Sequence, residues 1–212
     1  MPEPLDARER RELCDLFGDL GPEAPTLCEG WATMDLAVHL AVRERRPQAA
    51  PGILLGGPFA GLLERAERKM AAKGYATVVE LVRDGPPLLG PFAVPGLRTF
   101  VNLSEYAIHH EDVRRANGMA PRQDRGDLQE GLWKVLRRGA RLQLRNVEGA
   151  TVHVARPGGE SVTVGKAGPA VTVTGDPLEL ALYLAGRRDV AHVELTGDQQ
   201  AIDALATAKL GV

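Results

Sequence analysis

Apolar residues in the first two-thirds of the chain recur three and four positions apart, in stretches separated by glycine and proline, a period that belongs to helices. Leu13, Leu16, Phe17 and Leu20 predict a first helix over residues 6–20. A second is expected to begin after Thr33, whose hydroxyl can cap it, with Asp35 in its first turn facing the positive end of the helix dipole. Leu36, His39, Leu40 and Arg43 then share one side of it. Further helices are expected near residues 58–73, 77–83, 96–116 and 127–142. Asn117-Gly118 supplies a stop after Ala116.

From about Gly149 the period changes from helical to alternating. Thr-Val-His-Val-Ala, Ser-Val-Thr-Val and Ala-Val-Thr-Val-Thr read as short strands with glycine and proline between them. Asp176-Pro177 is a helix start, an N-cap followed by proline at the first helical position, leading into a helix over 178–185. A strand over 191–195 and a last helix after Asp198 complete the pattern. The fold class is therefore α+β, an antiparallel helical bundle over 1–145 followed by a small α/β domain over 146–212.

Composition narrows the function more than the fold. With aromatic residues at only 4%, stacking platforms for single-stranded nucleic acid are not expected. A net charge of -2 argues against general attraction to nucleic acid or to acidic membranes. Cys14 and Cys28 are too few for a disulfide scaffold and form no CxxC pair, so reduced thiols in a cytoplasmic protein are expected. The N-terminus has no apolar signal core, and the apolar stretch over 53–63 is short and broken by Gly56, Gly57, Pro58 and Gly61, so neither export nor a membrane span is expected. The chain is taken as a monomer or a homodimer.

Candidate chemistry sits on two helices. Glu105 and His109 lie four residues apart, about 40° around a helix, and converge on one point, whereas His110 is turned about 140° from Glu105. Glu105 also follows Leu97 and Val101 at four-residue spacing, so its carboxylate occupies an apolar stripe and calls for a compensating cation. His39, from the second helix, completes a set of two imidazoles and one carboxylate that suits zinc or a similar divalent ion and leaves a coordination position open. Asp112 returns to the Glu105 face and can orient a ligand, accept a proton, or pair with Arg115 or Arg43. Arg43, one turn beyond His39, either holds an anionic substrate or cosubstrate or solvates the helix surface. Cys28 can serve as a nucleophile or a fourth ligand but is left outside the core site as a small buried hydrophobe, and Tyr106 and Trp31 are taken as packing residues, either of which can line a pocket mouth.

Pro25-Thr-Leu-Cys-Glu-Gly-Trp31, followed by Asp35-Leu-Ala-Val-His39-Leu, resembles the N-terminal signature of the mycothiol-dependent maleylpyruvate isomerase family, within the DinB/YfiT-like metal-binding superfamily. Glu105-Tyr-Ala-Ile-His109 is similar to the second ligand motif, and the His-His-Glu-Asp-Val-Arg-Arg pattern at 109–115 resembles an uncharacterised actinobacterial branch. Residues 173–187 are similar to the sterol-carrier-like C-terminal domain attached to these isomerases. The resemblance implies a DinB-like four-helix bundle with metal on His39, Glu105 and His109, mycothiol as thiol cosubstrate, and Arg187 reaching toward thiol or substrate carboxylates.

The reading that follows is a metal-dependent enzyme using a small thiol in S-transfer or isomerisation of an electrophilic substrate, with Asp112 and Arg187 as catalytic candidates. Two others stand beside it: a metal-dependent hydrolase of the same superfamily, with Asp112 or His110 assisting proton transfer, and a non-catalytic metal-binding module for an apolar ligand or another protein.

Overall fold

The computed structural model describes residues 3–46, 60–87, 97–122, 125–166 and 168–210, with the backbone alone over 97–101. It divides into two compact units, Met1–Arg122 and Gln123–Val212.

The first unit contains α1 (Leu5–Leu20), α2 (Thr33–Arg45), α3 (Ala60–Ala71), α4 (Tyr75–Arg83) and α5 (Leu97–Ala116). α1 packs on α4 and α5, and α2 packs on α3 and α4. Leu13, Cys14 and Phe17 from α1 meet Leu36, Leu40 and Ala41 from α2 and Val78, Val79 and Val82 from α4 in one core. α2 buries residues on nearly every side, among them Leu36, Ala37, Val38, Leu40, Ala41 and Val42, so it is an interior helix and not an amphipathic surface one.

Its N-terminus differs from expectation. Thr33 is the first helical residue, and its hydroxyl donates to Gly21 O at 2.5 Å instead of capping. Asp35 Oδ2 reaches back to the Ala32 backbone N–H at 3.0 Å and satisfies the exposed end.

In the second unit α6 (Gly126–Gln143) precedes β1 (Thr151–Ala155), β2 (Ser161–Val164), β3 (Ala170–Thr174), α7 (Pro177–Leu184), β4 (Glu194–Gly197) and α8 (Gln199–Thr207). The sheet order is β2-β1-β3-β4, with β1 and β3 parallel and the outer pairings antiparallel. Val152 pairs with Val171 and Val154 with Val173, and this valine face is buried. Gly197 closes β4 at φ 132, where a Cβ would meet Ala170 O at 2.2 Å, so only glycine allows the strands to approach this closely. Together the two units make an α+β protein of eight helices and one four-stranded mixed sheet among the described residues. None of its described helices is long and apolar enough to cross a membrane.

Two boundaries fall elsewhere than the sequence pattern placed them. The units divide at 122/123 and not at 145/146, because α6 turns Leu128, Leu132, Trp133 and Leu136 inward and packs on α7 and β2. Trp133 Nε1 donates to Glu160 Oε2 at 2.5 Å, and Arg156 pairs with both Glu130 and Glu160, tying the helix to the β1–β2 hairpin. The last strand starts at Glu194 and not at 191, since the preceding donors are spent elsewhere. Ala191 N–H bonds Arg187 O, His192 N–H bonds the Glu179 carboxylate, and Val193 N–H bonds Ala191 O.

Candidate metal centre

α2 and α5 bring His39, Glu105 and His109 together. Glu105 Oε1 lies 3.4 Å from His39 Nε2 and 3.5 Å from His109 Nε2, and the three donor atoms all fall within 4.8 Å of one another. Two ligands about 2.0–2.1 Å from a tetrahedral ion stand roughly 3.3 Å apart, so both distances to the carboxylate match the edges of a zinc site. The side chains of His39 and Glu105 keep 16% and 25% of their surface exposed, so neither is sealed in the core.

Arg43 points to the same carboxylate. Its Nε is 3.4 Å from Glu105 Oε1, and its Nη1 donates to Asn102 Oδ1 at 2.9 Å. Asn102 in turn donates to Glu44, whose Oε1 also receives Arg10, so a buried polar chain stands behind the site. Burial by itself would raise the Glu105 carboxyl. The Arg43 charge and hydrogen bonds from His109 and His39 outweigh it and hold the carboxyl well below its ordinary value.

His109 shifts the other way. Burial would lower its pKa, but hydrogen bonds to Asp112, Cys28 and Glu105 hold it well above the usual imidazole range. Asp112 is fully buried, with Oδ2 2.8 Å from His109 Nδ1. Cys28 Sγ lies 3.4 Å from the same oxygen and 3.9 Å from His109 Nδ1.

Cys28 and Trp31 reach the centre from the loop between α1 and α2. A bridge between Pro25 and Ala32 closes this loop on itself, and Thr26 Oγ1 donates to Trp31 O at 2.9 Å. Leu27 N–H to Asp112 O and Asn117 Nδ2 to Pro25 O strap it to α5. Trp31 then stands 5.2 Å, ring to ring, from His39. Sequence reasoning left Cys28 out of the core site and took Trp31 as a packing residue or the lining of a pocket mouth. The available signal was their place in the Pro25–Trp31 motif, since no spacing rule shows a loop folding onto a helix some 80 residues later.

His110 turns away from these atoms, as helix geometry requires. Its Nδ1 lies 3.3 Å from Glu9 Oε2, and Glu9, Glu12 and His110 form a second cluster of donor atoms. A cation already stands there: Arg122 Nη1 is 2.7 Å from Glu9 Oε2, and its Nε is 2.7 Å from Glu111 Oε1. Glu111 also receives Arg115 at 2.7 Å.

Arg187 belongs to the second unit, just beyond α7, where its Nη1 donates to Ala185 O at 2.8 Å. His153 sits on the sheet face opposite the valines, bonded to Thr163 Oγ1 at 2.8 Å.

No curated protein and no solved structure matches the chain. Residues 116–204 match a protein-family model described as the MDMPI C-terminal domain, which takes in α6 together with the sheet, in agreement with the division into units. The match spans less than half of the chain, and it supports a relationship to the mycothiol-dependent maleylpyruvate isomerases.

Proposed function

We propose that the first unit is a DinB-like bundle holding a divalent ion, zinc in the first instance, on His39, Glu105 and His109, and that the protein uses a small thiol of the mycothiol type in S-transfer or isomerisation of an electrophilic substrate. The observation that carries this reading is the convergence of two imidazole nitrogens on one carboxylate oxygen at 3.4 and 3.5 Å. The donor set fits zinc in chemistry as well as spacing, and three protein ligands leave one position for a substrate group. When bound, such an ion supplies the positive charge that lowers a thiol's pKa toward neutrality. The thiol itself is suggested by the match of residues 116–204 to the MDMPI C-terminal domain.

The chain's own residues prepare the site. Arg43, held by Asn102, keeps Glu105 ionised and aimed between the imidazoles. The second unit is read as the sterol-carrier-like domain of this family, with Arg187 assigned to a carboxylate of the thiol or substrate.

The test is thiol addition to protein loaded with one equivalent of cobalt. A thiolate-to-cobalt charge-transfer band on titration with mycothiol is the expected result. A fully loaded protein whose spectrum stays unchanged at saturating thiol would shift the reading to metal-assisted hydrolysis.

A further inference from the structure

Resting on that metal reading, we infer that Asp112 is the positioning residue of the centre: it accepts a hydrogen bond from His109 Nδ1–H and so commits that ring to bind the ion through Nε2. Two sets of three donors share His109. One is His39, Glu105 and His109, and the other is Cys28, His109 and Asp112. Distances separate them. His109 Nδ1 and Asp112 Oδ2 stand 2.8 Å apart, a hydrogen-bond length and shorter than the roughly 3.3 Å between two ligands of a tetrahedral ion. On the other side of the ring, Nε2 lies 3.5 Å from Glu105 Oε1, the spacing an ion requires.

A neutral imidazole carries one N–H and one lone pair, so a carboxylate fixed at Nδ1 leaves the lone pair on Nε2. Asp112 is well placed for this because it cannot drift. It lies one turn after His109 on α5, its side chain is fully buried, and its own backbone carbonyl accepts Leu27 N–H at 3.1 Å. Cys28 Sγ donates to the same Oδ2 at 3.4 Å. The Pro25–Trp31 loop therefore acts on the metal ligand through Asp112, which gives the motif a role that packing alone does not.

The experiment is NMR of protein with ¹⁵N-labelled histidine loaded with ¹¹³Cd, together with zinc affinities by chelator competition. Cadmium coupling to His109 Nε2, with a slowly exchanging proton on Nδ1, is expected in the wild type. Asp112→Ala should weaken zinc binding about 10- to 100-fold. Asp112→Asn keeps an acceptor oxygen for Nδ1–H and should retain most of the affinity, as should Cys28→Ala. Coupling through Nδ1, or a folded Asp112→Ala that binds zinc as tightly as wild type, would overturn the assignment. If Asp112→Ala does not fold, the wild-type coupling alone decides. Absence of cadmium from His39 and His109 altogether would instead overturn the metal reading itself.

Discussion

Arg43 Nε stands 3.4 Å from Glu105 Oε1, the oxygen that also faces both imidazoles, so a fixed cation competes for the position a metal ion would neutralise. Glu105 is thereby compensated even without metal. Arg43→Met should remove the largest part of that compensation, leaving the two imidazoles, and destabilise the metal-free protein by about 1–3 kcal/mol, the usual cost of a largely buried acceptor that loses one charged partner. The loaded protein should lose less, because the ion takes over the charge. Thermal melts with and without zinc should therefore show a wider metal-induced gap in Arg43→Met than in wild type. An unchanged gap would mean that Arg43 does not share Glu105 with the ion.

The neighbouring histidines give a sharper comparison. His109 faces Glu105, whereas His110 faces Glu9 and has Arg122 beside it. His109→Ala should abolish stoichiometric zinc, and His110→Ala should keep close to one equivalent. Metal analysis of the two purified variants decides, and a full equivalent retained by His109→Ala would remove that residue from the ligand set.

Local geometry was legible in the sequence, and long-range closure was not. Four-residue spacing already places Glu105 and His109 on one helix face, and apolar periodicity locates α1, α4 and α6 to within a residue or two. α5 shows why the rest was harder. In its polar run at 109–115, His109, His110, Glu111 and Asp112 are all buried, because partners that no local spacing announces arrive from α1, from the α1–α2 loop and from Arg122. The same limit applies to α6, whose stripe of Leu128, Leu132 and Leu136 announces a buried face without saying that a sheet will cover it. Thr33 lost its capping role to Asp35 for a related reason: the Gly21 carbonyl, brought near by the loop, takes its hydroxyl.

Proton linkage should differ between the metal-free and loaded proteins. His109 is raised in the folded state, so its contribution to metal-free stability is fully present below the unfolded value of 6.5 and is lost as pH rises through its folded pKa. Glu105 is depressed, and its contribution is present above 4.5 and lost only as pH falls through its lower folded pKa. From these two groups, metal-free stability should be highest between about pH 4.5 and 6.5 and fall on the alkaline side. An ion must displace a proton from His109, so zinc binding near pH 7 should release one, and metal-induced stabilisation should grow with pH. Calorimetry in buffers of different ionisation enthalpy measures that proton. Zinc binding with no proton release would contradict a cationic His109 in the metal-free site.

Arg122 offers a test of the framework behind the centre that is independent of metal. It bonds Glu9 on α1 and Glu111 on α5 at 2.7 Å each, and both carboxylates are fully buried. Burial would raise Glu9, but His110 and Arg122 hold it below its ordinary value, so the Arg122–Glu9 pair is ionic at neutral pH. Removing the guanidinium leaves two buried charges short of a partner, a change that costs about 3–5 kcal/mol. An exposed helical pair such as Arg68 with Glu64 should contribute less than about 0.5 kcal/mol. Urea unfolding of Arg122→Met beside Arg68→Ala should show that contrast, with zinc stoichiometry preserved in whatever fraction of Arg122→Met folds. A small loss in Arg122→Met would mean that the Glu9–Arg122–Glu111 clamp adds little to the hold of α1 on α5, which then rests on apolar packing and on the His110–Glu9 contact.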